Sequence, residues 1–465
     1  MREVDVAIIG AGSGGLSARR EVSKVTDSYL VIDGGKLGTT CARVGCMPSK
    51  VLIQVANDFH RRLSFDQEGI EGASHLSLNQ ETAMKHVRSL RDRFVRGVTG
   101  SMESWMKTHF IAGYATFKDL NTLIVNGEEI KAKKIIIASG SSPSVPPILS
   151  DFKDFLITTD EVFELENLPS SVAVVGLGVI GLELGQAFHR LGVDVFGIAR
   201  RKSLAGISDP KLLDYTVEKF SKEMNLSFDG IQSVNAKDGK ICIKSGSKEI
   251  VVDKVLITSG RSVNMEKFKL KELGVECNLQ GVPLFDKNKF QVISHPHLFI
   301  AGDNTGENQI LHEASDEGKI AGYNSVNEVK NFQTRTPLFV TFCDPNIAFS
   351  GKKYLELKEH KVDFEVGEVS FEGQGRSIVK LKEKGMLRIY GDKKTGKILG
   401  SEMFGPDCEH IAHLLSWVIE QGLSVNKVLS FPFYHPVIEE GLRTALRDLR
   451  DKVDEKQPIL ETLLK

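Results

Sequence analysis

One pattern occurs twice in the chain and restricts its fold more than any other: an apolar strand, a glycine cluster, a helix and a second strand. In the first copy Val4 to Ile9 runs into Gly10-Ala11-Gly12-Ser13-Gly14-Gly15, the helical stretch Leu16 to Val25, and the strand Tyr29 to Ile32 ending in Asp33. In the second, Val172 to Val175 runs into Gly176-Leu177-Gly178-Val179-Ile180-Gly181, the helical stretch Leu182 to Leu191 and the strand Asp194 to Ile198. This order is that of a βαβ dinucleotide site, in which each glycine has its own task. Gly10 and Gly176 make the tight turn, Gly12 and Gly178 let the backbone approach a pyrophosphate, and Gly15 and Gly181 let helix pack on strand. The helix N-terminus supplies donors for the phosphates.

The two copies part company at the ribose end. Asp33 can accept from a ribose hydroxyl, whereas the second copy continues into Ala199-Arg200-Arg201-Lys202. An acid there repels a ribose 2′-phosphate and guanidinium groups attract it, so the second site favours NADPH over NADH. The plainer alternative is a solvated basic turn. Two dinucleotide sites imply two dinucleotides, with a hydride passing between them.

Downstream of the first glycine cluster lies the run Gly38-Thr39-Thr40-Cys41-Ala42-Arg43-Val44-Gly45-Cys46-Met47-Pro48-Ser49-Lys50. A dithiol beside a redox cofactor can relay two electrons. Six cysteines in 465 residues are too few for a secreted disulfide scaffold. No second Cys or His pair near Cys41 and Cys46 completes a zinc set, so no metal is expected. Cys242, Cys277, Cys343 and Cys408 read as small buried side chains. His410 and His413, three apart, read as a solvated or interfacial helix face.

With 60 basic and 61 acidic side chains the net charge is -1, which argues against nucleic acid or a membrane surface as partner. The longest apolar runs fall far short of the roughly 20 residues of a membrane span. Met1-Arg2-Glu3-Val4-Asp5 leads straight into a strand, so a cytoplasmic location is the default expectation.

The length and the 41% hydrophobic content predict about three domains. Lys134 to Gly140 reads as a strand, with Pro146-Pro147 as a boundary turn, and Val251 to Gly260 as the strand closing the second unit. Leu298 to Asp303 is a short buried strand ending in an acid, followed by the helical stretch Gln309 to Asn324. From about Leu338 the texture becomes strand-like, at Phe364 to Phe371, Ser377 to Leu381 and Met386 to Tyr390. Helices over His410 to Gln421 and Ile438 to Asp451 then predict an α+β domain. The charged tail from Arg450 to Lys465 reads as helical, broken at Pro458.

The ordered set Gly10-x-Gly12-x-x-Gly15, Cys41-x-x-x-x-Cys46-x-Pro48-Ser49-Lys50, the second glycine cluster, Gly260-Arg261, Ala301-Gly302-Asp303 and His435-Pro436-x-x-x-Glu440 resembles the flavin-dependent pyridine nucleotide-disulfide oxidoreductases. Within that family the dihydrolipoamide dehydrogenase branch is the nearest, through Pro48-Ser49-Lys50 and the Gly391-Asp392-Lys393 to Gly405-Pro406 stretch. The resemblance implies an α/β chain with two Rossmann-like domains and a C-terminal α+β dimerisation domain. It places FAD-binding residues at 1–148 and 266–335, NAD(P)-binding residues at 149–265 and the interface domain at 336–465. It also implies a homodimer in which the C-terminal domain completes the partner's active site.

Carried over residue by residue, the resemblance makes Cys46 the flavin-proximal thiol and Cys41 the interchange thiol. Lys50, one helical turn from Cys46, faces the flavin and pairs with Glu183, as a buried lysine requires. His435 is the candidate acid and base, because thiol chemistry near neutrality needs a group titrating there, and Glu440 orients it. The expected cofactor residues are Gly10, Gly12, Gly15, Asp33, Thr40, Lys50, Ser139, Gly140, Gly176, Gly178, Gly181, Arg200, Arg201, Gly260, Arg261, Asp303 and His312. The substrate is expected to be a lipoyl-domain or small-molecule disulfide. An NADPH-dependent reductase of glutathione-like disulfides and a structural or redox-sensing flavoprotein stay open beside it. Arg43 stands where the family commonly has asparagine, placing a charge that can lower a thiol pKa or contact an anionic substrate. Phe433 replaces the first histidine of a His-x-His, and Ala199 with Arg200 and Arg201 resembles glutathione reductase.

Overall fold

The computed structural model describes residues 2–456 and 460–461. The strand Arg2–Ile9 ends in a run of apolar residues buried on both faces, the signature of a central parallel strand. It pairs in parallel with Tyr29–Asp33 on one side and Glu128–Ile137 on the other. Phe110–Ala112 and Leu298–Ile300 extend the parallel set at its two edges. The strand at 298–300 comes after the whole second unit, so the chain leaves this sheet and returns to it.

The second unit repeats the arrangement. Ser171–Val175 is entirely buried and lies between Asp194–Ile198 and Lys254–Ile257, with Asn225–Ser227 and Leu156–Ile157 outside them, all parallel. The first unit inserts the hairpin Thr116–Asp119 and Thr122–Val125 before its fourth strand, and the second inserts the three-stranded antiparallel sheet Ser233–Lys237, Lys240–Ser245 and Lys248–Val252. A two-stranded link of Ser141–Pro143 with Arg261–Val263 ties the two crossings together. The third unit is a five-stranded antiparallel sheet, ordered Leu338–Thr341, Asn346–Gly351, Ile398–Gly405, Met386–Asp392 and Phe364–Ser370. The helices Cys408–Glu420 and Glu440–Arg450 bury their apolar stripes, including Ile411, Leu415, Leu442 and Leu446, in its core.

Four expectations are corrected. Ser377 to Leu381 is not a strand: Gln374 caps the helix Gly375–Val379 by accepting from the Ser377 N–H at 2.8 Å, and that local bond outweighs the β-branched run. Val251 to Gly260 is split at Asp253, whose carboxylate takes both the Ser171 N–H and its hydroxyl. The helix preceding the tail stops at Arg450, and residues 451–456 are turns; Pro458 lies outside the described residues. Cys343 and Cys408 are buried, but Cys242 and Cys277 are half-buried, Cys242 reaching Glu249 from the outer face of its strand.

Candidate active site

Both glycine turns are built identically. Gly10 has φ +109° and Gly176 φ +104°, and a Cβ at either would strike the backbone carbonyl of Ala138 at 2.2 Å or of Thr258 at 2.5 Å. A Cβ at Gly15 or Gly181 would lie 1.9 Å from the carbonyl oxygen of Gly10 or Gly176, so helix and turn touch. The middle glycines differ in kind: around Gly12 and Gly178 a Cβ meets nothing within 4 Å. Each begins a helix, Ser13–Val22 or Val179–Arg190, that no side chain caps. Open space at the middle glycine with unspent N–H donors beyond it is the cradle a dinucleotide diphosphate needs, so the residues present fit one at each turn.

Both turns open into one cleft of about 1560 Å³, lined also by Thr40, Cys41, Cys46 and Lys50. Cys41 sits in the short helix Thr40–Val44 and Cys46 opens the helix Cys46–Arg61, with Gly45 at the joint. Both thiols are free, and the Cys41 thiol hydrogen-bonds to the Cys46 sulfur. That bond above all, with Lys50, lowers Cys46 to about 7 against the opposing cost of burial. Cys41 is held well above the ordinary thiol range, first by the same bond, then by burial. Arg43 is not among the leading influences on either thiol. Its Nε is buried without a partner and its side chain lies off the cleft.

Three units meet at Lys50. Its ammonium donates to both oxygens of Glu183 at 2.9 and 2.8 Å, and lies 4.7 Å from the centre of the Phe342 ring. Glu183, 3% exposed, also accepts the Phe342 N–H at 2.9 Å. The pairing expected from the sequence is therefore present, and the C-terminal unit adds a donor that the sequence did not disclose.

The remaining expected residues divide. Asp33 is anchored inside the turn, accepting from the N–H groups of Ala11 and Gly35, both at 2.7 Å. Gly140, Gly260, Arg261, Asp303 and His312 line the cleft. Arg261 donates to the hydroxyl and carbonyl of Ser141, which in turn donates to Asp303 at 2.7 Å. Ser139 turns away, its hydroxyl given to the Asn264 carbonyl at 2.9 Å. Arg200 and Arg201 are exposed at the cleft with no ion-pair partner among the described residues, whereas Lys202 is engaged by Asp214 at 2.6 Å. His435 and Glu440 are joined at 2.9 Å, and that bond lowers the Glu440 carboxyl, yet neither lines the cleft and the imidazole is 81% exposed. His413, on the helix face expected to be solvated or interfacial, is exposed and lines the cleft.

Residues 4–318 match the family model described as pyridine nucleotide-disulphide oxidoreductase, and residues 338–446 match its dimerisation domain. The chain belongs to the pyridine nucleotide-disulphide oxidoreductases. Such enzymes use FAD with NAD(P)H, and the dimerisation domain points to a homodimer. The chain is 29% identical to dihydrolipoyl dehydrogenase of Bacillus subtilis over 457 residues, 95% of this chain and 97% of that one. It is 28% identical to the Thermus scotoductus enzyme of that name over 460 residues, 97% and 98% of the two chains. Two solved structures share the fold: LpdA from Mycobacterium tuberculosis, with TM-score 0.83, 20% identity and coverage of 96% and 99%, and the Cu(II) complex of the HOCl-induced flavoprotein disulfide reductase RclA from Escherichia coli, with TM-score 0.82, 21% identity and coverage of 97% and 100%. Among the described residues no helix is long and apolar enough to cross a membrane.

Proposed function

We propose that this oxidoreductase passes two electrons between NAD(P)H and a disulfide or dithiol through bound FAD and the Cys41–Cys46 pair, with a dihydrolipoyl group as the first-ranked substrate. One observation carries the reading: two dinucleotide cradles and a hydrogen-bonded dithiol open into the same cleft. Bound FAD supplies the two-electron exchange between nicotinamide and thiols. In this reading Gly10, Gly12, Gly15, Asp33, Thr40, Gly140, Asp303 and His312 hold FAD. Gly176, Gly178, Gly181, Arg200, Arg201, Gly260 and Arg261 hold NAD(P)H. Residues 1–148 with 266–335, 149–265 and 336–465 are the corresponding domains.

In the reductive direction Cys41, as thiolate, attacks the substrate disulfide and expels one substrate thiol. Cys46 thiolate then attacks Cys41, closing the protein disulfide and releasing the second substrate thiol. One NAD(P)H and one proton are consumed for each disulfide converted into two thiols. The proton on Cys41 needs an acceptor other than Cys46. We assign that task to His435 of a second copy, oriented by Glu440, because the dyad is assembled yet does not line its own cleft. A cytoplasmic setting belongs to the same reading, since a reducing compartment keeps the dithiol in play.

The unpaired Arg200 and Arg201 favour a second reading, an NADPH-dependent reductase of low-molecular-weight disulfides. Steady-state rates of FAD-loaded protein with NADH and NADPH, each offered lipoamide and glutathione disulfide under nitrogen, separate the two. Lipoamide turnover supports the first, glutathione disulfide turnover with NADPH the second. Turnover of neither, with flavin still reduced, overturns both.

A further inference from the structure

A buried carboxyl lies beneath the expected flavin site and takes no part in the chemistry above. Glu317, 6% exposed, sits on the helix Leu311–Val326 and accepts the Gly302 N–H at 2.6 Å. Gly302 has φ +85° and leads directly into Asp303. The same helix presses against Ser13–Val22, the helix that begins at Gly12. A Cβ at Gly318 would lie 2.2 Å from the Gly14 carbonyl oxygen, and one at Gly322 would lie 2.5 Å from that of Ala18. Ser17 and Ser315 meet at 3.1 Å across this contact. One side chain therefore touches the turn carrying Asp303 and lies next to the close approach that sets the diphosphate cradle.

Resting on the proposed flavin function, we propose that Glu317 in its uncharged form is a positioning residue of the FAD site, holding the Gly302–Asp303 turn, and that its ionisation weakens FAD binding. The groups that act on it are carboxylates: Asp303 and Glu307 from the turn, Glu313 from its own helix. The facing helix contributes Gly14 and Ser17, neither charged. The cations of this region are engaged by other carboxylates, Arg261 at 3.9 Å from Asp303, and Lys319 and Arg335 at 2.7 and 2.8 Å from Asp316. Burial first, and then these like charges, push Glu317 up to about 8, against the Gly302 hydrogen bond.

Linkage sets the sign. A bound diphosphate adds negative charge one helix away, so the FAD-bound protein holds the Glu317 proton more tightly than the free protein. FAD affinity is then unaffected by this group while it is protonated in both states, and falls once the free protein has lost the proton, by up to tenfold per pH unit.

The test is fluorescence titration of apoprotein with FAD across about pH 6 to 9.5, which reads binding without turnover. The wild-type Kd is expected to stay flat to about neutrality and to rise above about pH 8. Glu317→Gln keeps an acceptor for Gly302 and cannot ionise, so its Kd is expected to stay flat over the whole range. Glu317→Leu is expected to weaken binding at every pH. A Glu317→Gln protein that follows the wild-type slope, or a wild type with no slope, overturns the inference. Absence of FAD uptake by the wild type at neutral pH overturns the flavin reading itself, and this inference with it.

Discussion

The two dinucleotide units differ less in their turns than in what leaves them. Both turns use a left-handed first glycine, an empty middle position and a third glycine in contact with the first. Sterics impose this on any chain that must lay backbone against a diphosphate and then enter a helix. Beyond the second strand the connections differ in length and in the side chains they carry. The first unit's second strand ends in Asp33, anchored by two backbone N–H groups, and a run of helices over residues 40–109 follows, the first two carrying the thiols. The second unit ends in two arginines with no ion-pair partner among the described residues and returns quickly to its sheet. The turn geometry is thus a backbone property that repeats, and the side chains that follow it diverge.

Several changes break or sharpen that contrast. The largest effect is expected from Cys41→Ser, which abolishes disulfide turnover and leaves reduction of bound flavin by NAD(P)H intact in stopped-flow absorbance. Retained disulfide turnover removes the relay. Next come Gly15→Ala and Gly181→Ala, where the added methyl meets a carbonyl at 1.9 Å. Each is expected to cost more than about 4 kcal/mol, read as loss of the folded protein in thermal or urea unfolding.

Gly12→Ala and Gly178→Ala make the opposite case, because both positions already have extended backbone and free space. Stability in FAD-free protein is expected to change by less than about 0.5 kcal/mol. Dinucleotide affinity is expected to fall about tenfold or more, for FAD alone in the first variant and NAD(P)H alone in the second. Loss of both ligands in either variant means that the cradles are not independent.

Smaller again, Arg200→Glu and Arg201→Glu are each expected to reduce the NADPH over NADH preference in kcat/KM by roughly ten- to a hundredfold, the worth of a charge-assisted bond. An unchanged ratio returns both arginines to a solvated turn. The smallest effect is a pH profile. Cys46 carries a lowered pKa, so its thiolate accumulates as pH rises through about 7. Iodoacetamide labelling of the reduced protein is expected to begin at Cys46 near neutrality and to reach Cys41 only at higher pH; peptide mapping with the reverse order refutes the assignment.

The local features were legible because they depend on neighbours in sequence. The glycine spacing, the placement of Cys46 and Lys50 on one helix face and the strand-ending Asp33 all follow from periodicity. Ser377 to Leu381 shows the limit of that reading: its β-branched pair suggested a strand, and a single cap from Gln374 made a helix. Ser139 was read with the cofactor residues, but its hydroxyl is committed to Asn264, a residue more than a hundred positions away. Glu317 was missed for the same reason. Nothing in its helix marks it until the turn at Gly302 packs against it.

What the amino-acid order determined was the two βαβ turns and the thiol pair, since short-range sterics and helix spacing leave them few alternatives. What tertiary structure decided was their use. The Phe342 N–H reaches Glu183 from the third unit, the Ala11 and Gly35 N–H groups anchor Asp33 in its turn, and His435 is bound to Glu440 outside the cleft that Cys41 lines. The Phe342 contact depends on where distant backbone places a donor, because a buried charge takes whatever partner packing brings within about 3 Å.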